Sequence, residues 1–588
     1  MSGVCGIYNY KTNRKIEDKQ LRRLSDLVKH RGKFSSDIHI NGEIGLAINS
    51  SNNRSAHSFG NAESSILGML DGNIFNKKQL LCLIKEKCGF VSDESNISII
   101  TQLYKILGDD FIKIIDGEFA LCVWDASEKK LILARNHSGN KPLYYYEGAD
   151  GIIFASEIKS ILSCNIKREI DPIALDAYFT FSYIPTPYTL FMGIKQIPAG
   201  SLLICKENEL KIHPYWEFNK EKINTRISSV DCQEKLRELL SEAVNKRINN
   251  GNITGAFLSG GIDTTIVVYL MRKLLNKGFN VFTVGFDDVT FNEIPDAEKT
   301  AKFYDVKINK IIIDAKMGKA AISKVIWHTD LPFWDISAIP TYYGGLLASE
   351  QADLIITGDG SDQLLGGSDV YADWKKQYYL FPEFLRTRAL ASLVNLFNGI
   401  NTKNVFLEKL LRNARIESFP LEQRYLIRSS LLTQEAKKEA YNNDFKNQIL
   451  EDISLKINNR YFRKSNRSNF IDKLLYKDVL FFLHDDLLVK VDRMLSANSL
   501  EFRTPFLDID LMNFISTIPV EYKIKGIFKP NKKYILKRAF QSYIPPHVLM
   551  RKKMGFSPPQ RKWIKEDFKE IIISIYINGH FQYHLYSF

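Results

Sequence analysis

The chain has 588 residues, of which 45% are hydrophobic and 25% are charged, and its formal net charge is +13. A chain of this length exceeds what one hydrophobic core supports, so we expect two or more domains. It has neither a long apolar run nor a basic N-terminal segment followed by an apolar one, so we expect no membrane span and no secretory signal. Seven scattered cysteines without metal-ligand spacing favour reduced thiols and a cytoplasmic location.

The positive charge has two interpretations. A basic surface attracts nucleic acid or acidic peptides. Here the lysines and arginines are spread through many polar segments, which favours a solvated surface. We therefore expect no nucleic-acid partner.

Residues 1–215 predict a β-rich domain with two helices. Helical periodicity occurs in Asp18–Lys29 and Asn96–Leu107. The pairs Asp71-Gly72 and Gly139-Asn140 are typical of turns. Together these elements predict a layered α+β sandwich. The predicted strands are Ile44–Ile48, Ser65–Met69, Phe119–Trp124, Lys130–Ala134 and Gly151–Ala155.

A polar stretch from Tyr215 to Ser229 predicts a domain boundary, so the second domain takes residues 216–588. Strands and helices alternate after it, which is typical of an α/β parallel sheet. From Trp374 onward the sequence is mainly helical and aromatic in character. The alternating elements are a strand over Val281–Phe286, a helix from about Pro295 and a strand over Lys310–Ile313.

The segment Ala256–Thr265 lies between two apolar runs and predicts a strand, a tight glycine turn and a helix. Adjacent glycines let backbone N–H groups approach an anion, and the start of the helix completes a phosphate cradle. Asp263 adds a carboxylate suited to magnesium, although an ordinary glycine-rich turn also explains the pattern. The candidate phosphate-binding residues are Leu258, Ser259, Gly260, Gly261, Asp263 and Thr264.

A second loop of this kind follows the apolar strand Asp353–Thr357. Parallel sheets bind ligands beyond the carboxyl ends of their strands, so two such loops would clamp a triphosphate. Asp263 and Asp362 are the candidate magnesium ligands, because Mg²⁺ prefers one or two carboxylates plus phosphate oxygens. A magnesium-bound triphosphate is therefore the ligand expected at these two loops. The second loop contributes Gly358, Asp359, Gly360, Ser361 and Asp362.

Several motifs of the second domain occur in a specific order and spacing. They are Ser259-Gly-Gly-Ile-Asp263, Phe282-Thr-Val-Gly-Phe286, Ser337-Ala-Ile-Pro340, Gly358-Asp-Gly-Ser-Asp362, Asp485–Met494, Glu501–Asp508, Lys533-Tyr-Ile-Leu536 and Lys553-Met-Gly-Phe556. With these motifs the chain resembles the glutamine-dependent asparagine synthetase family along nearly its whole length. The resemblance implies an N-terminal nucleophile-type glutaminase-like sandwich followed by an ATP-pyrophosphatase domain with a helical C-terminal part.

The resemblance also implies a reaction. ATP and a carboxylate form an acyl-adenylate and pyrophosphate, and an amine then attacks the acyl carbon. Lys533 matches the family lysine that faces the adenylate. Asp359, which replaces a glutamate, either accepts a proton from the attacking ammonium or is a structural loop residue.

Two further sets of residues each have a functional and a structural interpretation. Val284, Gly285 and Phe286 match the family segment that contacts adenine or ribose, although a buried strand also explains Val284 and Phe286. Lys490 and Arg493 either serve the site or are structural. In the structural case we expect them to pair with Asp485, Asp486 or Asp492.

The N-terminal domain departs from the family, whose nucleophile is a cysteine that uses its own α-amine as base. One alignment places Ser2 at the nucleophile position, and the other uses Cys5 and requires removal of four residues. The family's Asn-Gly-Glu turn appears as Asp71-Gly-Asn73, and the aspartate that holds the glutamine amine aligns with Asn96.

Other charged groups of the glutaminase site are missing as well. The segment Leu46–Ser50 has no arginine for the glutamine carboxylate, and a His-Arg-Gly-Pro-Asp turn survives only as His30-Arg-Gly-Lys33. Loss of such groups typically costs several kcal/mol of binding free energy. We therefore expect a folded but inactive glutaminase-like domain.

A synthetase without its own ammonia source resembles the ring-closing members of this superfamily. The prediction is macrolactam closure of a lasso precursor peptide, in which an Asp or Glu side chain joins the N-terminal amine. Its partners would be that peptide, or a small carboxylate, with a leader-binding protein and a protease. The alternatives are an asparagine or other amide synthetase that uses ammonia, a β-lactam synthetase, and a non-catalytic scaffold.

Overall fold

The computed structural model describes residues 1–51, 59, 65–89, 93–218, 222–248, 253–275, 278–380, 414–449, 452–552 and 554–569. Two expectations fall partly outside these ranges, because Lys553 and residues 381–413 are not among them. Within the described residues, no helix combines the length and apolar character needed to cross a membrane.

The N-terminal part of the chain forms two antiparallel sheets. Their strands are β1 (Ser2–Tyr8), β2 (Ser35–Asn41), β3 (Ile44–Ser50), β4 (Ile66–Ile74), β5 (Gly117–Asp125), β6 (Lys130–Arg135), β7 (Tyr144–Glu147), β8 (Ile152–Ala155), β9 (Ile194–Gln196), β10 (Ser201–Lys206) and β11 (Glu209–Pro214). The strand orders are β2-β3-β1-β8-β7-β9 and β11-β10-β6-β5-β4. All five predicted strands are confirmed.

The central strands of both sheets are covered on both faces. The two sheets share one core, which contains Val4, Met69 and Trp124. Helices cover the two outer faces. Strands alternate between apolar and polar residues when one face meets water, whereas β1, β3 and β5 are buried along their whole lengths. The predicted layered α+β sandwich is confirmed.

More helices occur in this part than the sequence predicted. The two predicted helices are α1 (Asp18–Asp26) and α3 (Asn96–Leu107). The sequence did not predict the other three, which are α2 (Lys77–Cys88), α4 (Ile158–Leu162) and α5 (Pro172–Phe181). The Asp171 side chain accepts hydrogen bonds from the N–H groups of Ile173 and Ala174, and Pro172 occupies the first helical position. This Asp-Pro cap is a sequence signal for α5.

The turn predicted at Asp71-Gly72 is wrong. Both residues lie inside β4 and pair with Ala120 and Phe119 of β5. Gly72 has a φ of +119°, and a Cβ there would lie 1.9 Å from the Glu118 carbonyl oxygen. Glycine at this position therefore permits a close strand contact rather than a chain reversal. The turn at Gly139 is confirmed, since its N–H bonds the Asn136 carbonyl.

The C-terminal part is built on a five-stranded parallel sheet, as predicted. The strands are β12 (Thr254–Phe257), β13 (Asn280–Phe286), β14 (Lys307–Ile313), β15 (Leu354–Ile356) and β16 (Glu501–Arg503), in the order β14-β13-β12-β15-β16. Strands β12 and β15 are neighbours, and Ala256 pairs with Ile356. The loops that follow these two strands therefore emerge side by side at one edge of the sheet.

Strand β16 lies in the region that the sequence predicted to be mainly helical. A strand of three residues is too short to give a periodic signal. Among the residues of this region that the structure describes, the other elements are helical apart from a small hairpin of β17 (Ile524–Lys525) and β18 (Asn531–Lys532).

Helices cover both faces of the parallel sheet. The helices are α6 (Ser229–Ile248), α7 (Ile262–Leu274), α8 (Ile294–Phe303), α9 (Ala315–Thr329), α10 (Ala338–Ser349), α11 (Ser361–Leu365), α12 (Asp369–Leu380), α13 (Leu421–Ser429), α14 (Gln434–Ala440), α15 (Asn443–Gln448), α16 (Ile453–Lys464), α17 (Phe470–Leu480), α18 (Leu488–Ser496), α19 (Ile509–Thr517), α20 (Val520–Lys523), α21 (Tyr534–Phe540), α22 (Pro546–Met550) and α23 (Gln560–Lys565). One apolar core joins the sheet to α6, α7, α19 and α21, and the opposite face of the sheet packs against α9, α10 and α18.

Candidate active site

A cavity of about 610 Å³ opens at the carboxyl ends of β12, β13 and β15. This is the position at which parallel α/β sheets bind their ligands. Twelve of the predicted site residues line it. They are Leu258, Ser259, Gly260, Gly261, Asp263, Thr264, Val284, Gly358, Asp359, Gly360, Asp362 and Lys533.

The hydroxyl groups of Ser259 and Thr264 accept hydrogen bonds from backbone N–H groups of the loop after β12. The Ser259 N–H donates to Thr264 Oγ1 over 3.1 Å, and the Gly261 N–H donates to Ser259 Oγ over 3.1 Å. Helix α7 begins at Ile262, so its first-turn N–H groups have no intrahelical acceptors. These groups and the helix dipole favour an anion at the cavity wall.

Arg551 supplies a cation beside this loop, and the sequence analysis missed it. Its guanidinium is fixed by Glu293 and by Asp296, each over 2.9 Å. A Cβ on Gly260 would lie 1.9 Å from Arg551 Nη1, so the glycine is what permits this close approach. The available signal was the position of Arg551 two residues before the Lys553-Met-Gly-Phe556 motif.

This contact gives a testable expectation. Gly260→Ala should displace Arg551 from the loop and raise the KM for ATP about tenfold, the scale of an overpacked contact. Gly278→Ala is the matched control, since a Cβ at Gly278 meets nothing within 4 Å. Steady-state kinetics at varied ATP measure the difference, and equal KM values for the two variants would contradict the assigned role of Gly260.

Lys533 and two carboxylates form the charged centre of the cavity. The Lys533 ammonium contacts Asp263 and lies 2.5 Å from Asp362 Oδ1. The Ser361 hydroxyl donates to Asp263 Oδ1 over 2.5 Å. Burial alone would lower the pKa of Lys533, but the carboxylates of Asp263 and Asp362 outweigh burial and raise the pKa. Lys533 therefore carries a positive charge at neutral pH.

The same two carboxylates suit a magnesium ion. In the described part of the chain, no group of three or more His, Cys, Asp or Glu side chains is placed to hold a metal. Two carboxylates with phosphate oxygens nevertheless complete the ligand set that Mg²⁺ prefers. Asp263 and Asp362 thus fit a metal that arrives with a nucleotide better than one bound alone.

Asp359 lies beside a second charged group. Burial raises the pKa of Asp359, the Lys490 ammonium lowers it, and the Asp362 and Asp263 carboxylates raise it. Lys490 donates to Asp335 Oδ2 and to Ser337 Oγ, both over 2.8 Å. A buried carboxyl with a raised pKa is suited to accept a proton from an amine.

The partners expected for Lys490 and Arg493 are wrong. Lys490 pairs with Asp335 instead, and it lines the cavity. Arg493 is fully buried and pairs with Glu157 of the first domain over 2.9 Å. These partners lie far away along the chain, so local spacing did not reveal them.

The segment predicted to contact adenine or ribose, residues 284–286, lies partly at the cavity and partly in the hydrophobic core. Val284 lines the cavity. Phe286 packs edge-on against Trp563 with ring centroids 6.2 Å apart, inside an apolar cluster. A Cβ on Gly285 would lie 2.3 Å from Asn292 Oδ1, so this glycine faces the loop before α8. The buried-strand interpretation therefore describes Phe286.

Three residues predicted for the glutaminase-like site are bonded to other protein groups. The Ser2 N–H donates to Asp71 Oδ1 over 2.8 Å. The other oxygen of Asp71 accepts from Arg31 over 3.1 Å, and Arg31 is fully buried. Asn73 donates to Glu501 Oε1 of the parallel sheet over 2.8 Å.

Two further predicted residues of this domain have other surroundings. Asn96 is the first residue of α3. Cys5 lies in the middle of β1, and complete burial raises the pKa of its thiol. A buried thiol with a raised pKa is a poor nucleophile. The alternative alignment on Cys5 requires removal of residues 1–4, which are present here, so it stays a prediction.

Comparisons with known proteins agree with this two-part architecture. The asparagine synthase family model matches residues 235–582, and the glutamine amidotransferase domain model matches residues 1–216. Asparagine synthetase [glutamine-hydrolyzing] 1 of Bacillus subtilis is 28% identical over 98% of this chain and 90% of its own length. A putative asparagine synthetase [glutamine-hydrolyzing] of Mycobacterium bovis is 27% identical over 93% and 85%.

Among solved structures, the glutamine phosphoribosylpyrophosphate amidotransferase of Bacillus subtilis with ADP and GMP is similar over 52% of this chain and 65% of that one. Its sequence identity is 14% and its TM-score is 0.28. The asparagine synthase model, in contrast, spans more than half of this chain. The chain therefore belongs to the asparagine synthase family and is an ATP-dependent ligase of the asparagine synthetase type.

Proposed function

We propose that this ligase activates a carboxylate with ATP and Mg²⁺ and then joins it to an amine of the substrate itself. The most specific form of the proposal is macrolactam closure of a lasso-type precursor peptide. An Asp or Glu side chain would be adenylated, and the N-terminal amine of the peptide would displace AMP. A leader-binding protein and a protease would act beside it on the same peptide.

Each part of the cavity has a role in this reaction. The loop from Ser259 to Thr264 and Arg551 would bind the phosphates. Mg²⁺ held by Asp263 and Asp362 would neutralise charge on the departing pyrophosphate. Lys533 offsets the negative charge that develops during adenylation and during attack on the acyl carbon.

The attacking amine must lose a proton as its nitrogen bonds to the acyl carbon. Asp359 is the group we assign to accept that proton. Burial and the nearby Asp362 and Asp263 carboxylates raise the pKa of Asp359, and a raised pKa makes its carboxylate a better proton acceptor, which supports the assignment. AMP then leaves with the electron pair of the former acyl–oxygen bond.

The observation that carries the proposal is that residues predicted for the glutaminase-like site of the first domain are bonded to other protein groups. Asp71 is bonded to the Ser2 N–H and to Arg31, and Asn73 is turned toward Glu501. A glutaminase site needs polar groups that are available to the substrate. The engagement of Asp71 and Asn73 supports the proposal that the amine comes from a source other than this domain.

The names of the relatives support a second candidate, asparagine synthesis from free ammonia. Their similarity extends over most of this chain, and Lys533, Asp263 and Asp362 would serve that reaction equally well. A β-lactam synthetase is less favoured, because Asp359 stands where that group carries a tyrosine. A non-catalytic scaffold is less favoured, because the charged centre is intact.

The candidates can be separated with one panel of substrates. AMP release is measured with aspartate plus ammonium, with aspartate plus glutamine, and with precursor peptides encoded beside the gene. The proposal predicts AMP release with a peptide and a peptide product lighter by one water. AMP and asparagine from aspartate plus ammonium, with no reaction of peptides, would instead establish the second candidate.

A further inference from the structure

Arg31, a buried arginine of the first domain, contacts helix α18, which lies beside the ligase site. Arg31 donates to both carboxylate oxygens of Asp492 on α18, over 2.8 and 2.9 Å. It also donates to Ser496 Oγ, one turn further along the same helix, over 3.2 Å. A planar guanidinium that binds a carboxylate through two parallel bonds fixes orientation as well as distance.

The other side of the Arg31 guanidinium is anchored within the first domain. It donates to Asp71 Oδ2 over 3.1 Å, to Glu157 Oε1 over 3.2 Å and to the Ser2 carbonyl over 3.1 Å. All hydrogen-bonding edges of this group are therefore engaged, and the group is fully buried. Ser2 and Asp71, two residues predicted for the glutaminase-like site, therefore both accept hydrogen bonds from Arg31.

Helix α18 also carries Lys490 on the cavity side. Lys490 lies two residues before Asp492, and its ammonium reaches Asp335 and Ser337. A shift of α18 would therefore move the Lys490 charge relative to Asp359. Misplacement of a catalytic group by about 1 Å can reduce a rate by about two orders of magnitude.

We infer that Arg31 is a positioning residue of the ligase reaction, which it serves by holding α18 and thereby Lys490 in place from the first domain. This inference rests on the proposed function, because it assumes that Asp359 acts as the proton acceptor. It gives the first domain a role in the ligase reaction that does not require glutamine hydrolysis.

A second contact path supports the same role. Asn73 donates to Glu501 of β16, and the Thr357 N–H beside the second loop donates to the Arg503 carbonyl of that strand. A Cβ on Gly360 would lie 2.4 Å from Leu507 Cδ2, so the segment after β16 packs directly on that loop. The first domain thus contacts α18, which carries Lys490, and β16, which bonds to Thr357 at the start of the second loop.

The test compares Arg31→Lys with Arg22→Lys in the full-length protein. Lysine keeps the charge of Arg31 and loses the paired bonds to Asp492. Arg22 is an exposed residue of the same domain that pairs with Asp18, so its replacement controls for general effects. Asp492→Asn is the second variant and replaces the first if Arg31→Lys does not fold.

The first readout needs no substrate. Hydrogen exchange of the peptide covering residues 488–496 is expected to rise in Arg31→Lys and to stay at the parent level in Arg22→Lys. Unchanged exchange in both Arg31→Lys and Asp492→Asn would overturn the inference, whatever the substrate is. A parent enzyme that turns over no peptide would count against the proposed function and leave this readout intact.

The second readout is the pH profile of peptide cyclisation, or of asparagine formation if ammonia proves to be the amine. The charged groups that face Asp359 are Lys490, Asp362 and Asp263. Burial and the two carboxylates raise the pKa of Asp359, whereas the Lys490 ammonium and a hydrogen bond with Thr357 lower it. Displacement of Lys490 would raise that pKa, so activity would be lost at a higher pH as the solution is acidified. At pH 7 we expect kcat to fall about tenfold, with the KM for ATP changed less than about threefold. A variant that loses thermal stability but keeps the parent kcat and pH profile would show a purely structural role.

Discussion

Lys533→Gln is expected to reduce amide-bond formation by about two to three orders of magnitude, the usual effect of removing one group that stabilises transition-state charge. The ammonium of Lys533 is nearly buried between Asp263 and Asp362 and stays charged at neutral pH. Glutamine retains a donor but no charge. Product formation in single-turnover experiments measures the effect, and a loss below about fivefold would contradict this role.

The same variant gives a second, independent signal. Without the ammonium, the two carboxylates keep their mutual repulsion and lose their counterion, so Mg²⁺ should bind them more tightly in the absence of nucleotide. Calorimetric titration with Mg²⁺ checks this. The control is Lys525→Gln, because Lys525 is exposed and donates to the Tyr534 hydroxyl over 3.0 Å. That control should match the parent in both measurements.

Asp362→Asn is expected to reduce ATP–pyrophosphate exchange by about 100-fold or more, because one change removes a metal ligand and a partner of Lys533. The shape of the side chain is kept, and the oxygen 2.5 Å from the Lys533 ammonium becomes part of a neutral amide. Exchange reports the adenylation step alone, so the effect should appear before the amine is involved.

The control for this variant is Asp373→Asn. Asp373 is an exposed residue of α12 that pairs with Lys376 over 3.5 Å. Exposed pairs of this kind contribute little to stability, so exchange should remain within about twofold of the parent. Exchange by Asp362→Asn at the same level as the control would contradict the assignment of Asp362 as a metal ligand.

The sequence predicted those parts of the site that depend on strand ends. Two apolar strands each lead into a loop with glycines and an aspartate, and parallel pairing of β12 with β15 brings the loops together. The positions of Asp263 and Asp362 follow from that rule. Lys533 did not follow from it, because several lysines surround it, and only the resemblance to a family motif identified it.

Contacts between distant segments could not be predicted in this way. Arg551, Arg31 and the Asp335 partner of Lys490 acquire their roles from packing between elements that are far apart in the sequence. The three-residue strand β16 gives no periodic signal. The Asp71-Gly72 pair resembled a turn because glycine serves both chain reversals and close strand contacts, and only the pairing of β4 with β5 distinguishes the two.

The central claim of this account is that the C-terminal part forms amide bonds while the first domain supplies structure and no nitrogen. The bonds of Ser2 and Asp71 with each other and with Arg31 are the structural basis of that claim.

The most direct test supplies glutamine labelled with ¹⁵N at the side-chain amide, together with Mg²⁺, ATP, aspartate and, in parallel reactions, unlabelled ammonium or a precursor peptide. The account predicts that the ¹⁵N stays in glutamine and that no glutamate is released, while an unlabelled amine still supports AMP formation. ¹⁵N-labelled asparagine, formed from glutamine at a rate comparable to that with free ammonium, would contradict it.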